Sequence, residues 1–170
     1  MKQAEAKGLT PEEKRKQIQD KLIPLRTGLS ASVFKAYEKY QRLRQENLKG
    51  PLAFCYISYL RSSVIERRPF FQIDLYDQQD RMDFLECCEP WDTDILTGEI
   101  YRAYPVAKGI KTNPNEQPDY EIEQRWLIEA DDYYKLLGEA MAQLLEQVRL
   151  QLPKDAEFYF GEYMDDVVRI

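Results

Sequence analysis

The sequence predicts an α+β fold with N-terminal helices, an antiparallel sheet of four or five strands, a long C-terminal helix packed on the sheet, and a final strand. Three observations favour this class. Apolar stripes with helical spacing lie near both ends of the chain, residues 71–75 alternate with a period of two, and Pro or Gly separates the segments. The length of 170 residues predicts a single domain over 1–170.

The first part of the chain is expected to be a mainly helical layer over 10–66, after a frayed segment at 1–9. A capping box and a first-turn proline start a helix at Thr10. Pro24 should end this helix, because proline removes a backbone donor. A second apolar stripe predicts another helix over 30–47.

The segment 52–66 fits two structures. Its apolar residues can form one helical face, and its β-branched and aromatic residues suit a strand equally well. Helix is the preferred interpretation, and the strand stays open as an alternative.

The segment 69–170 is expected to hold the sheet and one helix. Alternating residues predict its strands. The predicted strands are 71–75, 82–88, 100–106 and 120–126. A hairpin at 95–100 should precede the third strand, and a loop rich in Gly, Asn and Pro should follow it at 107–119.

The C-terminal part carries the most regular helical pattern. A continuous apolar stripe predicts a helix over 132–152, capped by Asp131 or Asp132 and expected to cover one sheet face. A last strand is predicted at 156–163, with a possible continuation through 167–168.

The residue inventory restricts the chemistry. The chain has no histidine, which excludes Ser-His-Asp and Cys-His catalysis, and it has neither a Walker loop nor a Gly-x-Gly-x-x-Gly motif. Three cysteines make no disulfide framework, so a reducing cytoplasmic location is expected. We predict no catalytic residue and no cofactor, and a protein that is not an enzyme is the preferred interpretation.

Charge is unevenly distributed along the chain. Residues 1–50 carry 12 basic and 6 acidic side chains, whereas residues 51–170 carry 12 basic and 24 acidic ones. An acidic surface suits a basic protein partner and repels phosphate, so nucleic-acid binding through the basic N-terminal helices is the less favoured alternative. No apolar run reaches 18 residues, so no membrane span is expected.

One motif indicates a metal site. Tyr163-Met164-Asp165-Asp166 resembles the metal-binding turn of reverse transcriptases, and the strand around Asp74 resembles the one that carries the partner Asp in those enzymes. The resemblance implies phosphoryl transfer with two metal ions, and it makes Asp74, Asp165 and Asp166 candidate metal ligands.

The preferred function is a cytosolic protein–protein interaction module, similar in gross character to antidotes of basic toxins and to chaperones. Its features are an acidic run over 74–94 and 12 tyrosines, a residue type enriched at protein interfaces. The alternatives for the acidic run are a solvated face and a site for a calcium or magnesium ion, which prefer oxygen ligands. The alternative for the tyrosines is a place in the core.

Overall fold

The structure is a computed structural model that describes residues 10–104 and 119–170. The predicted frayed segment and nearly all of the predicted 107–119 loop lie outside these residues. The described elements are α1 (Pro11–Gln45), β1 (Phe54–Tyr59), α2 (Arg61–Ile65), β2 (Phe70–Tyr76), a 3₁₀ turn (Asp80–Met82), β3 (Cys88–Asp92), α3 (Asp94–Ala103), α4 (Asp119–Val148), a second 3₁₀ turn (Arg149–Gln151), β4 (Glu157–Glu162) and β5 (Val167–Arg169).

The α+β class is confirmed, with five strands in the order β3-β2-β1-β4-β5. Three pairings are antiparallel, as predicted, and β1 pairs with β4 in parallel, so the sheet is mixed. A parallel pair needs a long crossover connection, and the chain between β1 and β4, which includes α2 to α4, is long enough to provide it. The strands predicted at 71–75 and 156–163 are confirmed as β2 and β4, and 167–168 belongs to a separate strand, β5.

The first two predicted helices are one continuous helix, so the predicted break at Pro24 is wrong. The buried residues of α1 are spaced by four or three residues, and the stripe crosses the proline without interruption: Ile18, Leu22, Leu25, Leu29, Val33, Ala36 and Tyr40. Pro24 itself is exposed. Packing of this long stripe outweighs the backbone hydrogen bond that the proline loses.

The helix preferred for 52–66 is wrong for most of the segment. The segment forms the strand β1, followed by the single helical turn of α2. Because β1 lies between two strands and is buried on both sides, its sequence lacks the alternation that marks a strand with one wet face. The strand predicted at 82–88 is also wrong, since β3 begins at Cys88. Pro90 lies inside β3, which is possible because β3 is at the sheet edge.

Two further predicted strands are helices. In the segment predicted as a hairpin and strand at 95–106, residues 95–103 belong to α3, and residues 105–106 lie outside the described part of the chain. The segment at 120–126 is the beginning of α4, which starts 12 residues before the predicted cap at Asp131. The physical reason is that Trp126, Ala130 and Tyr134 extend the buried stripe of α4 at helical spacing. Within 120–126, the alternation of Tyr120, Ile122 and Trp126 with charged residues imitated a strand.

The main core lies between one sheet face and the helices. Trp91 of β3 lies against Gly28 of α1, Phe160 of β4 lies against Gly138 of α4, and α3 also packs on α1. The side chains that alternate with this buried set point to the opposite face of the sheet. Within the described ranges, no helix has the length and apolar character that a membrane span requires.

Candidate functional site

The sheet face opposite the helices carries a group of tyrosines. Strand pairing places Tyr56 of β1 beside Asp74 of β2 on one side and Tyr159 of β4 on the other. Tyr76 has the same parity as Asp74 on β2, so it lies on the same face. Tyr163 follows β4 in the turn, and its hydroxyl lies beside that of Tyr76. We call Tyr56, Tyr76, Tyr159 and Tyr163 the tyrosine face.

Ring contacts hold the tyrosine face together. The rings of Tyr56 and Tyr159 are stacked with centroids 5.0 Å apart, and those of Tyr56 and Tyr76 meet edge to face at 5.7 Å. Tyr159 donates a hydrogen bond to Glu157 at 2.6 Å, which raises the pKa of its phenol. Burial, followed by the nearby Asp74 carboxylate, raises the pKa of both Tyr76 and Tyr163. The phenols therefore stay neutral at physiological pH.

Asp74 is the buried carboxylate of this face. Only 3% of the residue is exposed, and Oδ1 accepts a hydrogen bond from Gln72 Nε2 at 2.9 Å. Oδ2 is buried and has no hydrogen-bond partner in the described part of the chain. Burial raises the pKa of Asp74 to about 6, Gln72 acts in the opposite direction, and Glu86 raises it further. A buried carboxylate of this kind favours a cation in front of it.

A cation of the chain itself lies on the tyrosine face. The Arg81 guanidinium is 4.6 Å from the centroid of the Tyr56 ring, and Nη1 donates to the Asp165 carbonyl oxygen at 3.3 Å. The same guanidinium favours the charged form of Asp74. Asp80, in a left-handed conformation with φ of 54°, provides the turn that precedes Arg81. Stacking on an aromatic ring next to a carboxylate is a characteristic mode of arginine recognition.

Most of the acidic run over 74–94 is used inside the structure. Asp83, Glu89 and Asp94 form ion pairs with Lys49, Lys39 and Arg102, respectively. Asp77 accepts hydrogen bonds from the backbone N–H groups of Gly50 and Gln79, and Asp92 accepts one from Asp94.

The remaining acids of the run lie near the tyrosine face. Asp80 lies beside the Tyr56 hydroxyl, and Glu86 acts on the pKa of both Asp74 and Tyr163. The run is therefore a set of internal contacts plus a smaller group of acids around the tyrosine face, and neither predicted alternative describes all of it.

The candidate metal ligands lie in two kinds of environment. Asp74 is buried in β2, whereas Asp165 and Asp166 are exposed in the turn between β4 and β5. Among residues 10–104 and 119–170, no group of three or more Asp, Glu or Cys side chains is arranged to hold a metal ion. The turn instead contributes the Asp165 carbonyl oxygen to Arg81.

The sequence pointed to the tyrosines and to Asp74 but gave Arg81 no role. Its position depends on the turn at Asp80 and on the approach of residues 163–166, which are far away in sequence. The available signal was that Arg81 is the single basic residue between positions 69 and 101.

Comparisons with protein-family models, with curated proteins and with solved structures give no match to this chain.

Proposed function

We propose that this protein is a non-enzymatic interaction module that binds a basic protein partner through the tyrosine face. Arg81 is the observation that carries the proposal. Its guanidinium lies over the Tyr56 ring, on the face that also holds Asp74, and we propose that an arginine of a partner would take this position. Aromatic rings and a desolvated carboxylate are the groups that recognise guanidinium. The formal net charge of −6 favours encounter with a cationic partner.

A cytoplasmic location of the protein is part of the same proposal. Cys55, Cys87 and Cys88 are all free thiols, and Cys88 lies on β3 at the position paired with Asp74. A reducing cytoplasm keeps such thiols unmodified.

The phosphoryl-transfer alternative has weaker support, because the arrangement of carboxylates that it requires is not found in the described ranges. Nucleic-acid binding through α1 is also weakly supported. Arg15 and Lys39 of that helix contact Glu139 and Glu89 of this chain, so part of its positive charge is already neutralised.

Calorimetric titration with a nona-arginine peptide at low salt tests the proposal. If Arg81 competes with the peptide, the Arg81→Ala variant should bind it at least about fivefold more tightly than the Arg102→Ala variant, since a cation–π contact contributes roughly 1 kcal/mol. Arg102 is the matched control, because its side chain is exposed and pairs with Asp94, and its removal changes the net charge equally.

Equal affinities of these two variants would show that the peptide binds elsewhere. A Tyr159→Leu variant, compared with Tyr120→Leu on exposed α4 surface, gives a second measurement. We expect Tyr159→Leu to weaken binding and Tyr120→Leu to leave it unchanged. The reverse result, or no binding by the wild-type protein, would contradict the proposal.

A further inference from the structure

A second candidate site lies on the helical side of the sheet, at the junction of β1, α2 and α4. A cleft of about 460 Å³ opens there, with none of the tyrosine-face residues in its walls. This volume falls in the range of small-molecule sites. We call it the aromatic cleft.

Four aromatic side chains form much of the wall in two pairs. Tyr59 and Tyr134 are stacked, with centroids 3.9 Å apart and planes 4° from parallel. Tyr104 and Trp126 meet edge to face at 4.9 Å. The Trp126 indole donates to the Ile100 carbonyl oxygen at 2.9 Å, which fixes the ring. The rings are therefore held by their own contacts before any ligand arrives.

The charges in the cleft are mainly negative. Three carboxylates line it, Glu123, Asp131 and Glu162, together with the Arg61 guanidinium, and Asp131 also forms an ion pair with Lys135 at 2.6 Å. Arg61 is largely exposed and pairs with Glu162 at 3.5 Å, and its charge also acts on the pKa of Tyr104, which it lowers. Burial raises the pKa of Tyr59 to about 12, and Glu162 and Asp131 raise it as well, which shows that both carboxylates act on this wall.

We propose that the aromatic cleft binds a small organic ammonium ion, with the alkylated nitrogen against the rings and its charge balanced by the carboxylates. Aromatic faces attract cations through their quadrupole, and cages of aromatic residues recognise quaternary ammonium groups. Glu123 holds one ring in place, because its Oε1 accepts a hydrogen bond from the Tyr104 hydroxyl at 2.8 Å.

The experiment compares the binding of choline with that of dimethylbutanol at constant ionic strength. The isomer used is the one in which a tert-butyl group replaces the trimethylammonium group of choline, so it has the same shape and no charge. Tryptophan fluorescence gives the signal, since Trp126 lies in the wall while Trp91 is buried against α1. We expect saturable choline binding with a Kd of about 1 mM or lower, and at least about tenfold weaker binding of dimethylbutanol. Equal affinity for the two probes, or no saturable choline signal, would overturn the proposal.

Paired variants locate the binding. Glu123→Gln keeps an acceptor for Tyr104 and removes the charge, so it should weaken choline binding at least about threefold. Glu146→Gln, on an exposed position of the same helix, removes the same charge away from the cleft and should leave binding unchanged. Equal effects of the two variants would place the probe outside the cleft. Because the wild-type comparison of probes stands alone, the test holds even if a variant folds poorly.

Discussion

At the scale of the single residue, Asp74 is the group whose chemistry is most altered by the fold. Its carboxylate is buried in a central position of the sheet, and one oxygen has a hydrogen bond while the other has none in the described structure. Burial of an acid stabilises its neutral form, and the pKa of about 6 follows. Such a group is retained against a cost in stability, which agrees with a role in binding.

This cost predicts how stability depends on pH. An acid with a raised pKa in the folded state binds its proton more tightly when folded, so stability contributed by Asp74 is present below its ordinary pKa of 3.8 and is lost as pH rises through about 6. Asp74→Asn should therefore raise the free energy of unfolding by roughly 1–3 kcal/mol at pH 8. At pH 4 the variant and the wild type should be nearly equal.

Urea denaturation at the two pH values measures the difference. Asp155→Asn, at an exposed position before β4, is the matched control and should change little at either pH. A variant at Asp74 that is less stable than the wild type at pH 8 would contradict the assignment of a costly buried charge.

At the scale of the element, α1 shows that a stripe of buried residues can carry a helix through a proline. The helix has 35 residues and the proline lies near its middle. Pro24 cannot donate to the carbonyl oxygen of Asp20, one turn earlier, and its ring crowds that carbonyl. The helix is held across the proline by its packing against α4, β2 and β3.

Replacing the proline should stabilise the protein. Pro24 is exposed, so Pro24→Ala removes no core contact and restores one helical hydrogen bond, for an expected gain of roughly 1–3 kcal/mol in the free energy of unfolding. Pro51→Ala, in the exposed loop before β1, is the control and should be neutral or slightly destabilising. Thermal and urea unfolding of both variants measure the change in the free energy of unfolding. No gain for Pro24→Ala would contradict the view that packing stabilises α1 against the cost of its proline.

At the scale of the whole molecule, α4 packs against both α1 and the sheet. Its buried residues face α1, and Tyr134 and Gly138 contact the β1 and β4 side chains beneath them. Leu144, Leu145 and Val148 continue the stripe and are at most 1% exposed. The core therefore depends on this helix along most of its described length.

Truncating the stripe should be costly. Leu144→Ala should lower the free energy of unfolding by roughly 2–5 kcal/mol, because it leaves a cavity in the core. Leu150→Ala, at a side chain that is 85% exposed, should cost less than about 0.5 kcal/mol. Chemical denaturation of the pair compares a buried and an exposed leucine on the same stretch of chain, and similar costs at both positions would show that Leu144 is not in the core.

Charge is also organised at this scale. Lys39 of α1 forms an ion pair with Glu89 of the acidic run. Lys49, which follows the end of α1, forms one with Asp83 of the same run. The basic N-terminal part thus partly neutralises the acidic remainder within one chain. Of the acidic run, Asp74, Asp80 and Glu86 remain around the tyrosine face, and these are the acids that the proposed partner would meet there.

The residue pattern was enough to predict the features that repeat locally, namely the buried stripes of α1 and α4, the alternation of β2 and the strand at β4. The absence of imidazole chemistry follows from the composition. The pattern left β1 ambiguous and suggested strands for α3 and the start of α4, because alternation and helical spacing coincide in short amphipathic segments.

Only the tertiary structure decided the parallel pairing of β1 with β4, the passage of α1 through Pro24, and the position of Arg81 over Tyr56. The physical reason is that periodicity records which side of a segment is buried, whereas these features depend on contacts between residues distant in the chain. Asp74 was recognised as a carboxylate from sequence, but its partners and its raised pKa come from the sheet register and from burial.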